Sequence, residues 1–98
     1  MAGGLTIQFD SRQVYFNGVE VYLTRTEYNL LCYLIENQNR VVTHIAIMSE
    51  LWGNGSDDAD AAKTFISQLR QKLNYVGADT ASMIISVRGV GYKFVSPV

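Results

Sequence analysis

The sequence predicts an α+β fold in which a short antiparallel sheet leads into three helices and the chain closes on a β-hairpin. Three observations predict it. Apolar residues alternate with polar ones over residues 5–23, the period of half-buried strands. The period then changes at Thr24 to that of amphipathic helices. Alternation returns after residue 84, around a loop that holds two glycines.

In the first segment Leu5, Ile7 and Phe9 alternate, Asp10-Ser11-Arg12 marks a turn, and Val14 and Phe16 alternate again. Asn17-Gly18 follows, then Val19, Val21 and Leu23. Both Asn and Gly tolerate positive φ, so this dipeptide is a strong hairpin signal, and residues 5–23 form a small meander. Thr24-Arg25-Thr26-Glu27 has the spacing of a capping box. Behind it Tyr28, Leu31, Cys32 and Ile35, with Leu30 and Leu34 beside them, make a broad apolar stripe that should end near Asn37. Thr43 can cap a second, shorter helix carrying Ile47, Leu51 and Trp52. Residues 53–58 form a polar loop without periodicity.

A third helix is predicted over about 59–75, with Asp57, Asp58 and Asp60 at its positive end. Its core face is Ala62, Ile66, Leu69, Leu73 and Val76, with Phe65 beside them. The opposite face is polar: Lys63, Thr64, Ser67, Gln68, Gln71 and Lys72. Gly77 can end the helix. Ile85 and Val87 then alternate, Arg88-Gly89-Val90-Gly91 forms the loop, and Tyr92, Lys93, Phe94 and Val95 complete the hairpin.

The chain has 98 residues, 48% apolar and 17% charged, which suits one globular domain. The expected organisation is a single domain over 1–98. No apolar run reaches the length of a membrane span, and Met1-Ala2-Gly3-Gly4 has neither the basic start nor the apolar stretch of a signal peptide. Cys32, the sole cysteine, cannot form an intrachain disulfide, which fits a cytoplasmic location. It lies on an apolar helix face and is expected to pack rather than react.

The net charge of −1 hides an asymmetry. Residues 1–60 hold Arg12, Arg25 and Arg40 against eight acidic residues, a net of −5. Residues 61–98 hold Lys63, Arg70, Lys72, Arg88 and Lys93 against Asp79, a net of +4. A basic half is a hint of a polyanionic partner. A short helix, a connection and a polar-faced helix also suggest a helix-turn-helix variant, which lays its second helix in the major groove of DNA. A basic hairpin directly after that helix can reach a neighbouring groove.

No enzyme is expected: there is no paired-carboxylate pocket, no Cys–His couple, no metal-ligand spacing and no phosphate-cradling loop. No cofactor and no metal are expected either. The lone His44 has no carboxylate or cysteine cluster around it in sequence.

Four stretches carry a family resemblance. Leu23-Thr24-Arg25-Thr26-Glu27-Tyr28-Asn29-Leu30-Leu31 resembles the first-helix signature of the OmpR/PhoB response-regulator output domain. Val41-Val42-Thr43 and Leu51-Trp52-Gly53 fall where that family places its second helix. Ile66-Ser67-Gln68-Leu69-Arg70-Gln71-Lys72-Leu73 resembles its recognition helix, and Val87-Arg88-Gly89-Val90-Gly91-Tyr92-Lys93-Phe94 resembles its wing. The match runs over residues 5–95. Thr26-Glu27-Tyr28, Val42-Thr43-His44 and Gln68-Leu69-Arg70-Gln71-Lys72-Leu73 resemble the KdpE branch, the potassium-response regulators.

The resemblance implies a winged helix-turn-helix: an N-terminal four-stranded sheet, a three-helix core and a C-terminal hairpin wing. It implies sequence-specific binding of double-stranded promoter DNA, with a dimer on the DNA, and transcription regulation in a two-component system. It also implies a receiver domain, absent from this chain, that takes a phosphoryl group on an aspartate. Asp57 and Asp58 lie in a helix connection and are not that acceptor. The acidic loop 53–60 matches the family's transactivation loop, implying RNA polymerase as a partner, although a solvated connector fits the same residues.

The DNA-binding residues expected on this basis are Thr43, His44, Lys63, Thr64, Ser67, Gln68, Gln71, Arg70, Arg88 and Lys93. Gln pairs with adenine and Ser with several bases, whereas Lys and Arg neutralise phosphate. Thr43 and His44 open a helix, whose free amides bind phosphate, although Thr43 also fits a plain cap. Arg88 at the hairpin tip suits the minor groove or a phosphate. Arg70 has two readings, a phosphate contact or a partner of Glu27 that ties the third helix to the first. Many family members carry more arginine or histidine where this chain has Phe65, Ser67 and Gln68, which lowers the expected phosphate contribution. A protein-interaction winged helix with weak DNA binding is the alternative function.

Overall fold

The computed structural model describes residues 4–52 and 59–95. The polar loop of residues 53–58 lies outside the described residues, as do the side chains of Trp52, Ala59 and Asp60 and the stretch that contains Pro97. The architecture is the predicted α+β one.

Strands β1 (Leu5–Gln8), β2 (Gln13–Phe16) and β3 (Val19–Val21) form an antiparallel meander in the order β1-β2-β3. Asn17 and Gly18 both have positive φ, 50° and 83°, and join strands whose last rung is Phe16 opposite Val19. Two such residues match the twist of the flanking strands. Leu5, Val14, Phe16 and Val21 turn into the core. Phe9 falls beyond the end of β1 and is exposed, so the alternation expected there stops at Ile7.

Helix α1 (Arg25–Glu36) starts with the predicted capping box. The Glu27 amide donates to Thr24 Oγ1 at 3.2 Å, and the Thr24 amide donates to Glu27 Oε1 at 2.9 Å. Removing the hydroxyl with Thr24→Ala should lower the unfolding free energy by about 1 kcal/mol. Urea denaturation checks this, and an unchanged midpoint would contradict it. Tyr28, Leu30, Leu31 and Leu34 are buried, and the C-cap is Asn37, as expected.

Two expectations need correction after α1. Val41–Thr43, placed with the second helix by resemblance, is a strand, β4, antiparallel to the last strand of the hairpin, Gly91–Phe94. Consecutive β-branched residues favour the extended state, and a waiting strand edge supplies their hydrogen bonds. The N-terminal sheet has three strands among the described residues, not four.

Helix α2 (His44–Trp52) follows β4 directly. The Ala46 amide donates to Thr43 Oγ1 at 3.0 Å, the predicted cap. Ile47 and Met48 are buried. Helix α3 (Ala59–Tyr75) buries Ala62, Ile66, Leu69 and Leu73, one stripe at helical spacing. Gly77 stands just past its end with φ 95°, and the Ala78 amide returns to the Leu73 carbonyl. A fourth helical turn, α4 (Thr80–Met83), was not foreseen. It buries Thr80 and Met83, and Thr80 donates to Asn74 Oδ1 at 2.9 Å. Four residues are too short for a period to register.

The chain closes with β5 (Ile84–Val87) and β6 (Gly91–Phe94), and the second sheet has the order β4-β6-β5. Val87 faces Gly91, so the loop is residues 88–90 and Gly91 belongs to the strand. Ile84, Tyr92 and Phe94 face inward, and Ile85 faces out. One apolar cluster spans both sheets and α1, α2 and α3.

Candidate nucleic-acid interface

Helix α3 packs against α1, α2 and α4 with its apolar stripe, which turns the opposite face outward. Lys63, Thr64, Ser67, Gln68 and Gln71 are all exposed on it, as predicted. The N-terminus of α2 and the hairpin flank this face. Between them lies a concavity of about 450 Å³ lined by His44, Lys63, Ser86, Val87, Arg88, Gly89, Gly91 and Tyr92. Lys63, His44 and Arg88, which are far apart in sequence, therefore share one surface. The tip that carries Arg88 is short: Gly89 adopts φ 76°, and the Val90 amide donates to the Val87 carbonyl at 3.0 Å.

His44 opens α2, and its ring meets the buried Tyr92 edge-on at 5.4 Å between centroids. Thr43 is exposed, and its hydroxyl accepts the Ala46 amide, so the cap reading is realised. The remaining amides of that first turn are the groups that a helix start offers to an anion.

Arg70 and Lys72 pair differently from expectation. Arg70 does not meet Glu27. Its Nη2 donates to the Ile84 carbonyl and, at 3.2 Å, to Ser86 Oγ, and its guanidinium lies 5.8 Å from the centre of the Tyr92 ring. Its Nε is buried, so the Nε edge of the fork is closed to a phosphate. The partner of Glu27 is Lys72, placed on the outward face by its sequence neighbours: Lys72 Nζ lies 2.8 Å from Glu27 Oε1 and also donates to the Tyr22 carbonyl. Residues two apart on a helix point about 200° from each other, so Arg70 and Lys72 leave α3 on opposite flanks, one toward the hairpin and one toward α1. Lys93 sits opposite Val41 and Ile85 on the outer side of the second sheet, whereas its neighbours Tyr92 and Phe94 face the core. It does not line the concavity.

Burial shifts the Glu27 carboxyl upward, but the Lys72 ammonium and the Thr24 amide outweigh it, and the carboxyl ends below its ordinary value. Burial pushes the Cys32 thiol up, away from the thiolate that reactivity requires. Among the described residues no three His, Cys, Asp or Glu side chains gather as a metal site would need, and no helix is long and apolar enough to cross a membrane.

Ser86, Val87 and Tyr92 line the concavity without having been singled out. A hairpin places every second residue on one face, which is the signal for Tyr92, and the expected loop of residues 88–91 is one residue longer than the observed one. The family described as "Transcriptional regulatory protein, C terminal" matches residues 18–94. The chain belongs to this family.

The response regulator ArlR of Staphylococcus aureus (strain COL) is 41% identical over 90 residues, covering 91% of this chain and 40% of ArlR. The chain thus spans well under half the length of the curated relatives it matches. Among solved structures, the response regulator AdeR DNA-binding domain in complex with an intercistronic region superposes with a TM-score of 0.87 at 30% identity, covering 99% of both chains. The Klebsiella pneumoniae RstA DNA-binding domain, in complex with the RstA box, gives 0.86 at 30% identity over 98% of this chain and 95% of that one. DrrB of Thermotoga maritima, an OmpR/PhoB homolog, gives 0.81 at 26% identity over 95% of this chain and 42% of DrrB. The winged helix-turn-helix is therefore the fold of this family member.

Proposed function

We propose that this chain binds duplex DNA sequence-specifically and regulates transcription as the output domain of a two-component response regulator, rather than acting as an enzyme. The observation that carries this is the shared surface on which the outward face of α3 stands beside His44 and Arg88. Relatives with the same fold and nearly full overlap, AdeR and RstA, were solved on DNA. In this reading Ser67, Gln68, Gln71 and Thr64 meet base edges in the major groove, and Lys63 and the start of α2, with Thr43 and His44, meet phosphate. Arg88 reaches the adjacent minor groove or its phosphates. Arg70 and Lys93, which lie outside the lining of the concavity, are the remaining candidates for phosphate contact.

Binding of the chain to a promoter duplex should weaken steeply with salt, because few phosphates supply much of the affinity. Arg88→Ala should lower affinity about tenfold and reduce the salt slope by about one. Fluorescence anisotropy across a salt series measures both. No salt-dependent binding to any promoter fragment would defeat the proposal. The sparse charge of α3, where Phe65, Ser67 and Gln68 stand, favours a second reading as a protein-interaction winged helix. Unchanged DNA affinity after Lys63→Ala with Arg88→Ala would select it.

The wider assignments belong to this proposal. The chain is one domain over 1–98 of a longer cytoplasmic regulator with a receiver domain, it pairs as a dimer on DNA, and loop 53–60 contacts RNA polymerase. The relatives' greater length supports the receiver. The KdpE-like branch rests on Thr26-Glu27-Tyr28, Val42-Thr43-His44 and Gln68-Leu69-Arg70-Gln71-Lys72-Leu73.

A further inference from the structure

We infer that Arg70 is a positioning residue that sets where the tip arginine, Arg88, stands relative to Lys63, so that the DNA affinity carried by Arg88 depends on Arg70. The inference rests on the DNA-binding reading above and names a residue that acts without touching DNA.

Helix α3 leans on α1, α2 and α4, while the hairpin is anchored through β6 to β4 as far as the Thr43–Gly91 rung, and β5 is the strand without a further strand partner. Arg70 provides a polar link. It holds the Ile84 carbonyl at the base of β5 and the Ser86 hydroxyl two residues on. Ser86 is paired with Tyr92, over whose ring the guanidinium also lies. One side chain therefore grips both strands at the Ser86–Tyr92 rung. A single further rung, Val87–Gly91, separates that grip from the tip of residues 88–90. On the helix side, Lys63 lies seven residues before Arg70, about two turns along the same side of α3. Lys63 and the Ser86–Tyr92 rung line one concavity, so the span between Lys63 and Arg88 is bridged by a rigid helix, one arginine and two strand rungs. Nε is buried without a hydrogen-bond partner among the described residues, so the grip comes from Nη2, which reaches both Ile84 and Ser86. A planar fork with several fixed donors suits this purpose better than a lysine does.

A double-mutant cycle on a generic mixed-sequence duplex at low salt tests this, since such binding is dominated by phosphate contacts. Arg88→Ala in the wild-type background should lower affinity about tenfold and the salt slope by about one. In an Arg70→Met background, Arg88→Ala should cost less than about twofold, because the tip is no longer held in place. General destabilisation does not produce this coupling. In the DNA-free protein, amide hydrogen exchange at residues 87–91 should rise about tenfold in Arg70→Met while the Leu69 and Leu73 amides keep their protection. Ser86→Ala, a milder change that removes one of the bonds, should give an intermediate rise and keeps the test available if Arg70→Met folds poorly. An Arg88→Ala penalty that is equal in both backgrounds overturns the inference, as does unchanged exchange at the tip. If Arg88→Ala has no effect even in the wild-type background, the DNA role of Arg88 fails, and the exchange measurement alone decides whether Arg70 holds the tip.

Discussion

Gly91→Ala is expected to destabilise the domain by about 3 kcal/mol, the range of severe overpacking at a site that cannot relax. A Cβ on residue 91 would lie 1.8 Å from the Val42 carbonyl oxygen and 2.8 Å from Thr43 Cα. Both are backbone atoms of β4, so no side chain can rotate out of the way. The strand must move away from β6, which breaks the Thr43–Gly91 and Val42–Tyr92 rungs. The Thr43 cap on α2 moves with it, so the DNA surface is disturbed together with stability. Gly89→Ala is the control. Gly89 has φ 76° and open space around the position of a Cβ, so only backbone strain of about 1 kcal/mol is expected. Urea denaturation of both variants separates the two causes. A Gly91→Ala loss no larger than that of Gly89→Ala would show that β4 does not approach as closely as the geometry requires.

Lys72→Met should cost about 2 kcal/mol at neutral pH, between the values for exposed and buried ion pairs, because Glu27 is 3% exposed and Lys72 43%. The methionine keeps much of the stem and removes the charge, leaving the Glu27 carboxylate with its Thr24 bond but without its cation. The pH dependence has a definite sign. Burial raises the Glu27 carboxyl, yet Lys72 and Thr24 together bring it below its ordinary value of 4.5. A carboxyl depressed in the folded state contributes stability that is present above its unfolded value and lost as pH falls through its folded value. The difference between wild type and Lys72→Met should therefore be full at neutral pH and shrink as pH falls below 4.5. Denaturation at pH values on either side of that point checks it. A difference independent of pH would assign the loss to packing of the Lys72 stem instead.

Local patterns were legible where the information is local. The capping box at Thr24 and Glu27, the Asn17-Gly18 turn, the Thr43 cap and the buried stripe of α3 all follow from spacings of a few residues. The exposed face of α3 follows from the same period, and so do Lys63, Ser67, Gln68 and Gln71 as candidate contacts. The misplacements share a cause, which is pairing at long range. Val41–Thr43 becomes a strand because β6 offers it an edge some 50 residues later. Glu27 was recognised as half of a cap, but its ion-pair partner is 45 residues away. The sequence allows Arg70 a phosphate or Glu27 and puts Lys72 on the polar face of α3, and only their surroundings make one a clamp on the hairpin and the other an anchor to α1.

The α+β class, the order of strands, helices and hairpin, and the outward polar face of α3 were determined by the sequence alone, because period and capping are properties of neighbouring residues. The meeting of His44, Lys63 and Arg88 in one concavity, the diversion of Arg70 and Lys93 away from it, and the need for glycine at position 91 were decided by the tertiary structure. These depend on which face of which strand a residue occupies after two distant segments have paired, and a shift of one residue in that register reverses the face.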